Sequence, residues 1–374
     1  MISTGKYLIP GVWLMIHKRY VKALGVIGLF LTPVFLVFWR PETVTRIFEG
    51  AGTGEWIAVL YLLLLFAGSF FLNFQLVKSS KHPAKHHRRK EIRRLKKNHA
   101  VLLGLSVLFI AYSLAILAPL VAPHDPVVQH EVLETRLQPP SLETGYVLGT
   151  DSFGRDVLSR IIYGARISLF VGFAAVAIAI GIGTITGLVA GYLGGWVDSL
   201  LMRFVDLMLG FPRLFLILII IAFAGPSVFW TVTVLGLTGW MGLARIIRGE
   251  TLSLREREYV LAAQALGMGT FRILFRHVLP NLIGPIVVFA TLAMGNVILI
   301  EAGLSFLGLG VQAPMPSWGN MINLGREYLL DGWWISAFPG LAIAGTVITF
   351  NLVGDGLQEV FNPRMEQTPG RYAG

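Results

Sequence analysis

Asp151 and Asp156 stand five residues apart in Gly149–Arg160, G-T-D-S-F-G-R-D-V-L-S-R, and two neighbouring carboxylates could serve as a general acid and base. No nucleophile or metal-ligand cluster accompanies them, and Pro123, Pro126, Pro139 and Pro140 lie close by, so the pair reads as a loop-fixing feature and no catalytic residue is assigned. His82, His86 and His87 could gather a metal, but the chain has no cysteine and no acid cluster stands beside them, so no metal site and no cofactor are assigned. A G-x-x-x-x-G-K-[ST] loop is absent, so the chain carries no phosphate cradle for ATP. Driving energy must come from another polypeptide or from an ion gradient. Arg203, Asp206, Arg213 and Glu301 lie in or beside apolar runs. Ionisable groups at membrane depth face a cavity or a partner charge. Asp206 follows Arg203 by three residues, the spacing of a one-turn ion pair, and the alternative is a lining of a solute pathway that includes Arg213. Glu301 stands where it could gate an exit or form part of an outer vestibule.

The elements that must position these residues follow from composition. The chain has 374 residues, 55% hydrophobic and only 14% charged, with a mean hydropathy of +0.69. Runs of about 20 apolar residues cross a bilayer as helices. They fall near residues 21–39, 56–77, 100–122, 167–195, 200–224, 228–247, 281–303 and 335–358. The expectation is an all-α polytopic membrane protein with about eight transmembrane helices. Residues 1–99 form an N-terminal extension of two spans and a basic linker, and residues 100–374 hold six spans and every motif below. No internal repeat is evident, which argues against a duplicated carrier.

Between Lys78 and Lys97 stand ten of the 31 Lys and Arg residues, against the single acid Glu91. A basic run between two apolar spans reads as a cytoplasmic loop under the positive-inside bias, in contact with anionic lipid and not with nucleic acid. Both termini and the segment 248–280 then fall in the cytoplasm, and 40–55 and 123–166 fall outside. Met1–Tyr20 lacks the apolar core and small-residue cleavage site of a removable signal. Gly183, Gly187 and Gly191 give two overlapping G-x-x-x-G steps, for packing within the chain or against a sister subunit.

Ser253–Pro280, S-L-R-E-R-E-Y-V-L-A-A-Q-A-L-G-M-G-T-F-R-I-L-F-R-H-V-L-P, is the most informative stretch. Ser253 and Glu256 have capping-box spacing, which predicts a helix start there, and Gly267 is placed to end it. That leaves about 13 residues, roughly 20 Å of helix. Gly267 and Gly269 permit a turn, and a second helix from Phe271 runs to Pro280. Ala262, Ala263 and Ala265 allow close approach of another surface, with Glu258 and arginines around them. Docking into a groove on a soluble partner and lying flat on lipid fit this build equally.

The stretch resembles the cytoplasmic coupling loop of binding-protein-dependent ABC importer permeases. Ala262, Ala263, Gly267, Leu279 and Pro280 match that pattern, whereas Glu258 lies four residues ahead of Ala262 and His277 replaces an isoleucine. Both departures are similar to the oligopeptide and dipeptide branch. So are Gly149–Arg160, Ala190–Asp198, Glu301–Gly319 and Phe350–Leu357. The resemblance covers most of residues 120–365 and implies a six-helix type I permease core in the cell membrane. It also implies a heterodimer with a second permease subunit, two ATPase subunits, an extracytoplasmic solute-binding protein and a peptide substrate. In it Glu258, Ala262, Ala263, Ala265, Gly267, Leu279 and Pro280 couple to the ATPases, and Asp206, Arg213 and Glu301 belong to pathway or gate. Nickel complexes, opines or sugars remain open as solutes. Open rivals are an ion-coupled secondary carrier with Asp206 or Glu301 as proton site, and a membrane scaffold or receptor.

Overall fold

A computed structural model describes residues 98–129 and 132–361. The expected spans at 21–39 and 56–77, the basic linker with its three histidines, and both termini lie outside the described residues. The described part is helical, with no strand beyond an isolated bridge between Thr150 and Asp156. In chain order the helices are α1 (His99–Ile116), α2 (Ala118–Val121), α3 (Val132–Thr135), α4 (Val157–Leu193), α5 (Gly195–Leu209), α6 (Arg213–Ala224) and α7 (Val228–Leu237). They continue as α8 (Met241–Arg255), α9 (Glu258–Ala265), α10 (Thr270–Ile273), α11 (Leu279–Phe306), α12 (Trp318–Gly325) and α13 (Trp334–Phe361). A π-helical turn, Leu274–Val278, joins α10 to α11.

Five helical stretches are long and apolar enough to cross a membrane: His99–Ile116, Val157–Leu193, Val228–Arg255, Thr270–Phe306 and Trp334–Phe361. The expected straight span at 200–224 is instead two helices, α5 and α6, bent by 81°. The cause is local. Gly210 caps α5 by donating its N–H to the Asp206 carbonyl at 3.0 Å. Pro212, extended at ψ 111°, is the N-cap residue of α6, and proline disfavours the helical region for the residue before it. The bent pair gives a sixth crossing, or a re-entrant loop.

Residues 124–361, with 98–111 of α1, make one compact unit, and everything described below lies within it. At its centre stands α4, 37 residues long, which packs on α7, α8 and α11. The glycine steps explain the closest of these contacts. A Cβ on Gly183 would stand 2.7 Å from the Trp240 carbonyl, on Gly187 2.6 Å from that of Ala244, and on Gly191 2.8 Å from that of Arg248. Three glycines one turn apart therefore let α8 lie against α4 backbone to backbone, within this chain.

The acid pair fixes the start of α4. Asp156 is the N-cap residue, accepting from the Ser159 N–H at 2.9 Å and the Ser159 hydroxyl at 2.6 Å. Asp151 accepts from the Arg155 Nε at 2.7 Å and from the Phe153 and Arg155 backbone, with Arg160 Nε at 3.5 Å. Both carboxylates are buried. Trp334 at the start of α13 donates its indole N–H to the Thr150 carbonyl at 3.0 Å, tying the same loop to the last span.

Candidate functional site

The segment after α8 forms a tight elbow. The expected helix start at Ser253 is not found: α8 runs through to Arg255, and Glu256 is its C-cap. Ile247 and Thr251 are buried against α4, and that packing carries the helix past the capping-box residues. The short helix α9 begins at Glu258, with extended Arg257 as N-cap and no side-chain cap. It has eight residues, about 12 Å, in place of the expected 20 Å.

Gly267 ends α9 as expected. Its φ is +74°, and it donates its N–H to the Gln264 carbonyl at 2.9 Å. Met268 donates to the Ala263 carbonyl at 3.1 Å. These two bonds make a Schellman motif, which needs the left-handed conformation that glycine adopts at least cost. The chain then turns through Gly269 into α10 and the π turn. Pro280 follows directly, and its ring would clash with the Arg276 carbonyl in a regular helix. The widened turn sits where that clash would fall, and helix continues unbroken from Thr270 to Phe306.

One face of α9 is anchored and the other is free. Val260 and Ala263, one turn apart, are buried with Leu188, Tyr192, Ile247, Ile273, Val278 and Leu282. Leu279 packs on the same cluster. Gln264 donates to the Tyr192 hydroxyl at 3.1 Å, and Arg255 donates to the Tyr192 carbonyl at 2.9 Å. Ala262, Ala265, Gly267 and Glu258 are exposed on the other side, and Pro280 is exposed beyond the π turn. The three alanines therefore do not share a role: Ala263 is core, and Ala262 and Ala265 are surface. Sequence reading passed over the bulky apolar residues beside them. Leu266 is 83% exposed and Phe271 74% exposed, with Tyr259 and Leu261 also exposed. Their signal was available in the sequence as large apolar side chains on either side of Gly267.

The bent helix α5 is pinned to α8, the stem of the elbow, by two ion pairs. Arg248 holds both oxygens of Asp198, each bond 2.5 Å. Arg245 bonds Asp206. The ion pair expected from spacing, Arg203 with Asp206, is not the one formed, because α8 brings Arg245 to the carboxylate from another helix. Arg213 donates to the Leu235 carbonyl at 3.2 Å and lies 3.4 Å from the Thr238 hydroxyl. It also faces a cavity of about 820 Å³ whose walls include Glu250, Pro285, Phe289, Asn296 and Gln358. Asp206 and Glu301 do not line that cavity.

Glu301 is fully buried on α11. Its two oxygens accept from the Ser168 hydroxyl at 3.0 Å and the Ser305 hydroxyl at 2.8 Å. Ser168 lies on α4 and also faces the Trp318 N–H at 3.4 Å, so the carboxylate knits α4, α11 and the start of α12 together. Among the described residues no group of three or more metal-ligating side chains occurs.

Comparison with known proteins agrees with this architecture. Residues 183–367 match the family described as the inner membrane component of binding-protein-dependent transport systems. Residues 89–140 match the N-terminal transmembrane domain of oligopeptide transport permease C. The dipeptide transport system permease protein DppC of Bacillus subtilis is 43% identical over 290 residues, 77% of this chain and 89% of its own length. The di/tripeptide transport system permease protein DppC of Pseudomonas aeruginosa is 41% identical over 273 residues, 72% of this chain and 89% of its own. The oligopeptide transport system permease protein OppC of Haemophilus influenzae is 41% identical over 225 residues, 60% of this chain and 72% of its own. The chain therefore belongs to the inner-membrane component family of binding-protein-dependent transport systems, the multi-pass permease subunits, not enzymes, of ABC transporters.

Proposed function

We propose that this chain is the translocation subunit of an ATP-driven importer of peptides, powered by separate ATPase subunits that grip the α9 elbow. The observation that carries the reading is the two-sided build of α9. Val260 and Ala263 bind it to the span bundle, while Ala262, Ala265 and Leu266 are left free. A short helix rigidly seated on its own spans, with a bare outer face, transmits a push or pull from a docked partner. Its stem α8 is locked to α4 through three glycines and to α5 through two ion pairs. Displacement of the elbow therefore moves several spans as a body. Closure of an ATPase pair would then bias the permease between two packings that open the cavity to opposite faces.

The proposed assembly pairs this chain with a second permease, two ATPases and an extracytoplasmic solute-binding protein that selects the cargo. In it the elbow and both termini face the cytoplasm, and residues 1–99 are an extension to the permease core. Arg213 lines the pathway. Peptide cargo is favoured by the dipeptide, di/tripeptide and oligopeptide permeases that resemble the chain. Of the two carboxylates that an ion-coupled carrier was expected to use as proton sites, Asp206 is paired with Arg245 and Glu301 is buried among serine donors. The test is reconstitution in vesicles with its partner permease, ATPases and binding protein. Uptake of dipeptides that requires ATP hydrolysis supports the reading. Uptake of nickel complexes alone, or uptake driven by a proton gradient without ATP, refutes it.

A further inference from the structure

The charges around the α5–α8 region fall into two groups. Asp198 and Asp206 are each matched by an arginine of α8. Arg213 and Glu250 are different: both face the cavity of about 820 Å³, and among the described residues neither has an ion-pair partner. Arg213 engages Nε and one Nη2 proton on Thr238 and Leu235, which leaves three of its five N–H donors. A cation and an anion that line one cavity, neither matched by a fixed counter-charge, can both be met by a solute that carries both charges.

We infer that the cavity is a binding site for a zwitterionic peptide, whose carboxylate meets Arg213 and whose ammonium meets Glu250. The inference rests on the transport reading above and adds a ligand contact to it. Arg213 is fastened to the end of α7, next to the start of α8, while Glu250 lies nine residues further along α8 than Met241. Nine residues of helix rise about 13 Å. An extended peptide spans at most about 3.6 Å per residue, so three residues reach about 11 Å and four about 14 Å, the scale of that rise, whereas a single amino acid reaches about 4 Å. The Asn296 and Gln358 carboxamides on the same wall match the peptide groups between the two ends. A guanidinium also suits a carboxylate better than an ammonium does, because two parallel donors can engage its two oxygens.

The test uses the whole complex with its partner permease and ATPases in nanodiscs, without binding protein, and radiolabelled trialanine as probe. The wild-type complex should bind trialanine saturably, at least tenfold more tightly than trialanine amide or free alanine. Arg213→Gln should abolish the preference over the amide, Arg213→Lys should keep most of it, and Glu250→Gln should abolish the preference over N-acetyl-trialanine. Equal binding of trialanine and its amide to the wild type would overturn the inference without any variant. So would Arg213→Gln acting only by lowering assembly with the partner permease, which would make the charge an interface group. If wild-type complex supplied with binding protein imports peptide while the cavity shows no such discrimination, the inference falls and the transport reading stands. If it neither imports nor binds peptide, both fall.

Discussion

Replacing Gly267 separates backbone geometry from bulk at the elbow. Its φ of +74° lies in the left-handed region, and two hydrogen bonds, from Gly267 to Gln264 and from Met268 to Ala263, depend on it. A Cβ at this position would meet no atom of the chain within 4 Å, so nothing here clashes. The penalty comes from conformation: roughly 1–2 kcal/mol for an ordinary L-residue, and more for a β-branched one. A shift of 1–2 kcal/mol is a factor of about 5–30 in the population of the closed elbow. Gly267→Val should therefore lower peptide uptake per ATP hydrolysed at least fivefold in the reconstituted complex, with membrane insertion intact by protease protection. Gly267→Asn adds bulk but tolerates the left-handed region, and should stay within about twofold of wild type. Uptake at the wild-type rate in Gly267→Val would refute the reasoning. Failure of Gly267→Asn to the same degree would also refute it, because the defect would then come from any side chain at a docking surface.

Three further outcomes are expected. Gly187→Ile should cost about 1–3 kcal/mol or more, seen as a lower thermal midpoint in detergent, because its Cβ would stand 2.6 Å from the Ala244 carbonyl; Gly181→Ala, with nothing within 4 Å, should not lower it. A double-mutant cycle on Asp198→Ala and Arg248→Ala should give a coupling of at least about 1 kcal/mol, as charge-assisted bonds contribute about 1.5–3 kcal/mol, and additive effects would mean the pair does not hold α5 to α8. Glu301→Gln should keep ATP-driven uptake, whereas Glu301→Ala strands the Ser168 and Ser305 hydroxyls and should destabilise by about 1–3 kcal/mol; loss of uptake in the glutamine variant without loss of folded protein would restore a proton-carrying role.

Periodicity and glycine chemistry carried well from sequence to fold, and partner choice did not. Among the described residues apolar runs located the spans, because length against bilayer thickness is a one-dimensional property. Gly267 was legible as a helix end, since only a left-handed residue closes that motif. Gly183, Gly187 and Gly191 announced a close approach, though not that α8 would be the neighbour. The 200–224 run hid its 81° bend because hydropathy ignores backbone sterics, yet Phe211-Pro212 was there to be read. Ser253 and Glu256 looked like a cap, but burial of Ile247 and Thr251 beside Gly191 outweighed that local signal. Asp206 was matched to Arg203 by spacing, while its partner Arg245 lies 39 residues on and needed the fold to bring it near. Ala263 and Ala262 are adjacent in sequence, and only helix phase on a packed surface tells core from contact.

The chain has no cysteine, so single cysteines can be placed on the elbow without background. Cross-linking Ala262→Cys and Leu266→Cys to the ATPase subunits in native membranes, with and without nucleotide, tests docking most directly. Both should cross-link to an ATPase with a yield that changes on ATP binding, and Ala263→Cys, 5% exposed at the wild-type alanine, should not. Absence of any ATPase adduct at 262 and 266, or their labelling by an impermeant thiol reagent from the outer face, would contradict the account.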